Sequence, residues 1–356
     1  MKKIFSLALI LFFAAAVFAQ QSAPQQKPLS QTEYVQMLYD LQKKAIKKED
    51  VVEAVRRRGI DFPLTSGLRS LTSSKSGNDA ELRRTLEESA RRRENPTAAQ
   101  LPSAEESANL LAKSREATLL AVEEMPDFVV KQMIQRGASY AGTNNFRNLD
   151  RLIVAVSYRA EGKEEYRVLS LNGIMQAESR QKQSYEEVGG TSSTGEFVTV
   201  LATIFKPESE AVFEIVDTDT LRGRRAAVFN YTVTKEKARQ QITAYGYFNS
   251  SATTGMTGKI WIDRENFRVL RIESQATEIP EDFPIRAASR TIDYDWVTIS
   301  DEKYLLPSQS DVRLTFRQSS NVYETRNLIR FRDYQKYGSE VRIIDEDEII
   351  EEKPNQ

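Results

Sequence analysis

Past Pro126 apolar and polar residues alternate over short runs, the period of two that marks strands with one buried face. The runs read DFVVKQMIQR, RLIVAVSYRA, EEYRVLSLNG, EAVFEIVDT, AAVFNYTVT, QITAYGYFNS, GKIWID, FRVLRIES, RTIDYDWVTIS, YLLPSQSDVRLTF and VYETRNLIRFRDYQ. Turn residues separate them, among them Glu161-Gly162, Arg222-Gly223, Arg264-Glu265-Asn266 and Asp301-Glu302. The alternation is one-sided. Ile292, Tyr294 and Trp296 fall on one face of their run with Asp293 and Asp295 opposite, and Leu270 and Ile272 share a face against Val269, Arg271 and Glu273. Tyr323, Ile329 and Phe331 likewise oppose Glu324, Arg326, Arg330 and Arg332. Successive strands with short links predict one large antiparallel sheet, apolar on one side and laddered with charge on the other. A sheet of that width must curl into a barrel or an unclosed half-barrel.

Ahead of Pro126 the period is helical. Ser30 and Glu33 form a capping box, after which Tyr34, Leu38, Leu41 and Ala45 share a face. Val51, Val52 and Val55 mark a second helix that stops at Gly59; Thr65 can cap a third, and Asp79 precedes a fourth carrying Leu82 and Leu86. This predicts a small helical module over 29–93, then a proline-bearing linker over 94–102. The sheet domain, 103–344, opens on a helix capped by Ser103 with Glu106, whose face is marked by Ala104, Ala108, Leu111 and Val122. Inside it, GGTSSTGEF (189–197) has glycines for a bend and the Ser193/Glu196 spacing of another capping box. Phe197, Val200, Leu201, Ile204 and Phe205 follow at helical intervals, so a lid-like helix is expected over 196–205, closed by Lys206-Pro207.

The first residues change the compartment. Lys2 and Lys3, the apolar run from Ile4 to Val17, and small residues up to Ala19 read as a signal peptide over 1–19, cleaved before Gln20. A polar leader, 20–28, follows. No later run reaches the roughly 18 apolar residues of a spanning helix, so the expected location is the periplasm or the exterior.

Composition then removes chemistry. The chain has no Cys and no His, which excludes disulfides, lipidation at a cysteine, thiolate or imidazole metal sites, and His-based triads. Fifty basic residues against 51 acidic give no signature of nucleic-acid binding. GGTSSTGEF is no phosphate loop, since Glu196 stands where a lysine is needed. Asp217-x-Asp219 lacks the remaining ligands of a calcium loop. Asp293 and Asp295 suit a carboxylate pair but suit salt bridges better, and Ser300-x-x-Lys303 falls in a turn. The clusters Arg56-Arg57-Arg58 and Arg91-Arg92-Arg93 are interleaved with Glu49, Asp50, Glu53, Glu87 and Glu88, as on a solvated helix face. The acidic tail, 345–356, reads as a solvated terminus. No cofactor is expected, and the chain is not expected to be an enzyme.

Several phrases, EMPDFVVKQMIQR, SYEEVGGTSSTGEFVTVLATIFKPES, GKIWIDRENFRVLRIES, IPEDFPIRAAS and YLLPSQSDVRL among them, resemble a family of secreted, functionally uncharacterised acidobacterial proteins over residues 120–344. The sheet layout is similar to outer-membrane lipoprotein carriers of the LolA/LolB type. That resemblance implies an α+β fold with an unclosed barrel, covering helices and an apolar cavity. The residues set to line it are Ile260, Ile262, Leu270, Ile272, Ile292, Tyr294 and Trp296, with Phe197, Leu201 and Phe205 from the lid. They suit a lipid or acylated ligand, and they equally suit a packed core beneath an interaction module whose helices meet an envelope protein. A carboxylate-dependent hydrolase using Asp293 and Asp295 is the remaining alternative.

Overall fold

The computed structural model describes residues 27–94, 96, 100–159, 163–176, 190–192, 195–197, 199–238, 240–244, 250–318 and 320–338. The signal peptide, the leader up to Gln26, Ser193 of the expected capping box, the Glu161-Gly162 turn and the acidic tail lie outside them.

Four helices come first: α1 (Gln31–Gln42), α2 (Lys48–Arg58), α3 (Ser66–Lys75) and α4 (Ala80–Glu94). The N-terminal caps of α1, α3 and α4 are those the sequence predicts. Ser30 Oγ accepts from Glu33 N–H while Glu33 Oε2 accepts from Ser30 N–H at 2.9 Å, and Thr65 and Asp79 cap α3 and α4. Leu29, Tyr34, Leu38, Val51, Val55, Leu82 and Leu86 close a core made entirely of module residues. Leu29 ties the start of the module to Ile60 by a parallel bridge.

Helix α5 (Ala104–Glu123) leads into the sheet. It buries Ser107, Leu110, Ser114 and Thr118, while Ala104 and Ala108 are exposed. The expected face is therefore rotated: small hydroxyl side chains let the helix backbone approach the sheet closely, and the alanines look outward.

The sheet is antiparallel and not closed. Its strands are β1 (Phe128–Tyr140), β2 (Arg147–Arg159), β3 (Lys163–Leu171), β4 (Ile174–Met175), β5 (Val212–Leu221), β6 (Arg224–Val233), β7 (Gln240–Ala244), β8 (Ser250–Asp263), β9 (Val269–Thr277), β10 (Ile285–Ile299), β11 (Glu302–Gln318) and β12 (Asn321–Lys336). The order is β4-β3-β2-β1-β12-β11-β10-β9-β8-β6-β5, with β7 added to β8. Helices α6 (Thr199–Phe205) and α7 (Lys235–Ala238) complete an α+β fold. The Arg222-Gly223 hairpin has positive φ at both residues, 49° and 78°, the geometry that matches strand twist. Ser300-Asp301 repeats it, so Ser300 is a turn residue.

Register puts one row of side chains across nine strands of the apolar face. Phe229, Ile260, Ile272, Ile292, Ser310, Ile329, Ile134, Leu152 and Leu171 are successive cross-strand partners from β6 to β3. One polar residue, Ser310, interrupts it. In the next row Tyr231 reaches across Gly258 to donate to Glu273 O at 3.1 Å, and a Cβ on Gly258 would meet that carbonyl at 1.8 Å. The glycine makes that crossing physically available.

The module covers the opposite face over β5, β6, β8 and β9, and among the described residues no hydrophobic cluster includes residues of both units. Charge joins them instead. Glu88, 3% exposed, accepts from Thr218 Oγ1 at 2.7 Å and from Arg225 at 3.2 Å. Asp217 accepts from Arg56 at 2.6 Å and from Arg92. Asp219 accepts from Trp261 Nε1 at 2.9 Å, with Arg84 3.7 Å away and set over the indole ring. Lys259 donates to Glu81 at 3.4 Å, and Arg84 to Glu273 at 3.4 Å.

Candidate functional site

The described residues between Gly190 and Phe205 lie against the apolar face and explain the glycine-rich run. Gly190, φ +75°, sits where a Cβ would be 2.8 Å from Nη1 of Arg136. Thr191 O accepts from Asn327 Nδ2 at 2.6 Å, and the hydroxyls of Thr191 and Thr325 are 2.7 Å apart. Gly195, φ +78°, donates its N–H to Glu164 Oε2 at 2.9 Å. The donor a phosphate loop would offer to its ligand is thus spent on a carboxylate. The run is a strap, with glycines where backbone must pass close or turn left-handed.

Phe197 anchors the strap. Its ring packs edge-on against Phe128 at 5.3 Å and Phe331 at 5.5 Å, with Tyr158 at 6.1 Å. Helix α6 starts at Thr199, three residues later than expected at 196, because Gly195 to Phe197 form the anchored turn. Val200, Leu201, Ile204 and Phe205 then press onto the face, and Phe205 stacks on Phe213 at 5.8 Å.

Of the residues expected to line a cavity, Ile260, Ile262, Ile272, Ile292 and Tyr294 meet Leu201 and Phe205 in one cluster. Phe197 belongs to the neighbouring cluster around Phe128, Val154 and Phe331. Two expectations fail. Leu270 lies with Leu221, Ala226, Val228 and Trp261 on the other face. Trp261 pairs with Arg271 and Ile262 with Val269, so a bulge makes Leu270 the extra residue and reverses its side. Trp296 is 41% exposed, because burial along β10 shifts from the even positions Ile292 and Tyr294 to Ile299. With Ile260, Ile262 and Ile292 inaccessible to water, the face is filled by α5 and α6 in this conformation.

Polar groups interrupt the filling. Ser310 Oγ, the hydroxyl of Tyr294 and both amide atoms of Gln132 are buried without a hydrogen-bond partner among the described residues. Gln132 stands between Val130 and Ile134 on the same face of β1. Around the strap, Tyr166 donates to Glu164. Burial pushes Glu164 above the usual carboxylate range, and the charge of Glu196 adds to it. Burial also raises the hydroxyls of Tyr166, Tyr294 and Tyr334, with Glu196 contributing to each. The three tyrosine hydroxyls therefore stay protonated at neutral pH and can donate.

Asp293 is held by Arg271 through two 2.7 Å bonds, and Asp295 lies 3.8 Å from Arg222 and accepts from Trp296 N–H. The geometry is that of salt bridging. No group of three or more acids among the described residues could hold a metal ion, and no described helix is long and apolar enough to cross a membrane. A solvent-open groove of about 530 Å³ lies elsewhere, beside Gln100, Leu101, Ser103, Glu106 and Arg264. Glu106 and Arg264 pair across it at 2.5 Å.

Sequence reasoning missed Gln132 and Ser310, although each breaks an apolar alternation and so left a signal. It also missed the ionic network, whose partners lie 125 to 161 residues apart in the cases of Arg92 and Arg56 with Asp217.

No protein-family profile and no curated protein matches the sequence. Among solved structures, a DUF1329 family protein from Desulfovibrio piger aligns at 10% identity over 65% of this chain and 95% of its own, with a TM-score of 0.27. The Pseudomonas aeruginosa MucA/MucB complex aligns at 10% identity, covering 62% of this chain and 94% of the other, with a TM-score of 0.17. MucB in complex with MucA(peri) gives 10% identity, 62% and 93% coverage, and 0.16. At such scores none of these likenesses carries an argument about this chain.

Proposed function

We propose that the chain is an exported, non-catalytic binding protein of the cell envelope, acting in the periplasm or outside the cell. It takes a lipid or acylated molecule against the apolar face once the strap and α6 lift away. The observation that carries this reading is the set of unpartnered polar atoms on that face. A buried donor or acceptor left unpaired costs about 1–3 kcal/mol, and native cores avoid it. Gln132, Ser310 and Tyr294 sit on β1, β11 and β10 with four such atoms among them. A face meant only as dry core gains nothing from them. A face that takes an amphipathic ligand can satisfy them with the ligand's polar end, while the isoleucine row takes its chain.

Solvent extraction and mass spectrometry of the purified mature protein test the proposal. A stoichiometric apolar molecule is expected, together with saturable uptake of a fluorescent fatty acid by the extracted protein. Absence of both overturns it.

A second reading rests on the module's self-contained core: the helices would serve as a docking unit for another envelope protein. Deletion of residues 20–100 would then abolish partner capture and leave the sheet domain folded.

A further inference from the structure

Four of the large apolar side chains left exposed among the described residues lie along one staggered margin of the sheet. There β1 ends, β2 begins and β3 turns into β4. Tyr140 and Leu149 are each 60% exposed, Ile174 70% and Met175 57%. Two exposed arginines stand between them. Arg147 pairs with Ala138, two residues from Tyr140, and is itself two residues from Leu149. Arg151 donates its N–H to Asn172 Oδ1 at 2.9 Å, and its carbonyl accepts from Asn172 N–H at 2.8 Å. That sets it beside the turn that leads to Ile174. Apolar and cationic positions therefore alternate along the margin, in the order Tyr140, Arg147, Leu149, Arg151, Ile174.

We propose that this margin docks on an anionic lipid surface, its apolar side chains among the headgroups and its two guanidinium groups on lipid phosphates. Apolar side chains interspersed with basic ones suit the boundary between headgroups and acyl chains. The local charge favours that occupant. Arg147 and Arg151 make no side-chain hydrogen bond or ion pair among the described residues. The acids nearby are held by other arginines: Asp150 takes two 2.6 Å bonds from Arg136, Asp311 accepts from Arg326 at 2.9 Å, and Glu324 from Arg313 at 3.4 Å. The turns at this margin, Ala141 to Phe146 and Asn172-Gly173, contain no acidic residue. Glu281 and Asp282 lie on the far side of β11, in the β9–β10 connection where Arg317 N–H donates to Pro284 O at 3.1 Å. They confine the contact to the β1–β4 side.

The margin is preformed. Ala141 N–H donates to Val322 O at 3.0 Å, the hydroxyls of Ser139 and Thr143 are 2.6 Å apart, and Arg313 and Arg326 lie over the ring of Phe146. The β1–β2 turn thus presents Tyr140 on a fixed support. Its ring stacks on Tyr323 at 5.2 Å, and Tyr323 stacks on Phe316 at 5.9 Å.

The margin is also continuous with the apolar face. Tyr140 and Tyr323 are cross-strand partners, as are Ile134 and Ile329 six residues back, with no register shift between the pairs. Tyr140 therefore shares the face of the isoleucine row and lies about 20 Å along it at strand spacing. The strap meets the sheet between them, at Thr191 and Thr325. A lipid entering at the margin would reach the row along one face, a purpose that rests on the ligand reading above. The opposite end of the sheet differs. Leu120 of α5 has Glu116 and Glu123 on its own helix face, and Trp296 stands beside Asp295, whose carboxylate accepts from its N–H.

Co-sedimentation of the purified mature chain with vesicles, after solvent extraction of any bound apolar molecule, tests the proposal. Vesicles of phosphatidylcholine and phosphatidylglycerol in equal parts should pellet the protein, and phosphatidylcholine alone should pellet far less. Arg147→Gln with Arg151→Gln should weaken the partition about thirtyfold, and about 1 M NaCl should act in the same direction. Tyr140→Ser with Leu149→Ser should weaken it about tenfold or more. All four side chains are exposed, so an unchanged urea midpoint is expected of both variants. Brominated lipid locates the contact: a Tyr140→Trp variant should be quenched, and native emission, from Trp296 at the other end and Trp261 beneath the module, should not. Equal pelleting of the native chain and the arginine variant overturns the proposal, as does equal pelleting on both kinds of vesicle or quenching of native emission. A dimer that Tyr140→Ser with Leu149→Ser breaks, without vesicle binding, makes a second copy the occupant and overturns it too. Absence of vesicle binding beside a stoichiometric lipid in the extract removes the docking margin and leaves the ligand reading standing. Vesicle binding with no ligand in the extract does the reverse.

Discussion

The two faces of this sheet are built from opposite chemistry and fail in different ways. On one, a row of isoleucines, leucines and phenylalanine runs across nine strands and is roofed by α5 and α6. On the other, a separately cored module is held by Glu81, Glu88, Asp217, Asp219 and Glu273 with their arginines and lysines. Burial of each fully covered Leu, Ile or Phe contributes about 1.5–3 kcal/mol and is insensitive to salt. An ion pair draws its strength from geometry, and removing one partner leaves a buried charge uncompensated. Apolar roofing tolerates movement of its parts, whereas the ionic face fixes the module in one register.

The largest expected effects break that contrast directly. Glu88→Ala removes the buried carboxylate that Arg225 and Thr218 share in the interface and should cost about 3–5 kcal/mol. Ile292→Ala opens a cavity in the isoleucine row and should cost about 2–5 kcal/mol. Urea unfolding at low salt and at about 1 M NaCl separates them: screening at that salt should shrink the Glu88 penalty and leave the Ile292 penalty in place. A common response to salt would mean that the faces are not held differently.

How much of this was legible follows from range. Caps at Ser30, Thr65 and Asp79 and the hairpin at Arg222-Gly223 depend on residues within four positions, and the sequence shows them plainly. The antiparallel sheet follows from alternation for the same reason. Leu270 and Trp296 were misplaced because alternation assumes an unbroken register, and one bulge or parity shift turns a side chain over. The DTDT run of β5 offered acids at alternate positions, yet nothing local says that Arg56 and Arg92 will meet Asp217. The lining set was legible as an apolar face, since Ile260, Ile262, Ile272, Ile292 and Tyr294 converge with Leu201 and Phe205. That α6 fills it depends on packing that periodicity does not carry.

A smaller effect sharpens the ionic side. Burial pushes Glu81 up, but Lys48, Lys259 and Arg56 outweigh it and hold the carboxyl at about 2, below its ordinary 4.5. A depressed carboxylate contributes stability that is fully present above the unfolded value and is lost as pH falls through the folded one. The window is therefore from about 4.5 down to about 2, worth up to about 3 kcal/mol at 1.36 kcal/mol per unit. Asp219 and Glu273 are raised by burial and act with the opposite sign, so the total profile is their sum. Subtracting the acid-unfolding curve of Glu81→Gln from that of the native protein isolates the Glu81 limb. A flat difference over that window would show that Glu81 is not held by the lysines.

The smallest effect bears on what the apolar face is for. Ser310→Ala removes one hydroxyl from the isoleucine row without changing its shape, between Ile292 and Ile329. In a dry core it deletes an unpaired polar atom, so stability should rise by up to about 1 kcal/mol, the low end of that penalty. In a ligand face the same change also removes a partner for the ligand's polar end, so fatty-acid affinity should fall while stability rises. The two readings share the first result and divide on the second. A gain in stability with affinity unchanged would leave Ser310 outside the ligand's contacts, and Gln132, with two unpartnered atoms on β1, becomes the next position to substitute.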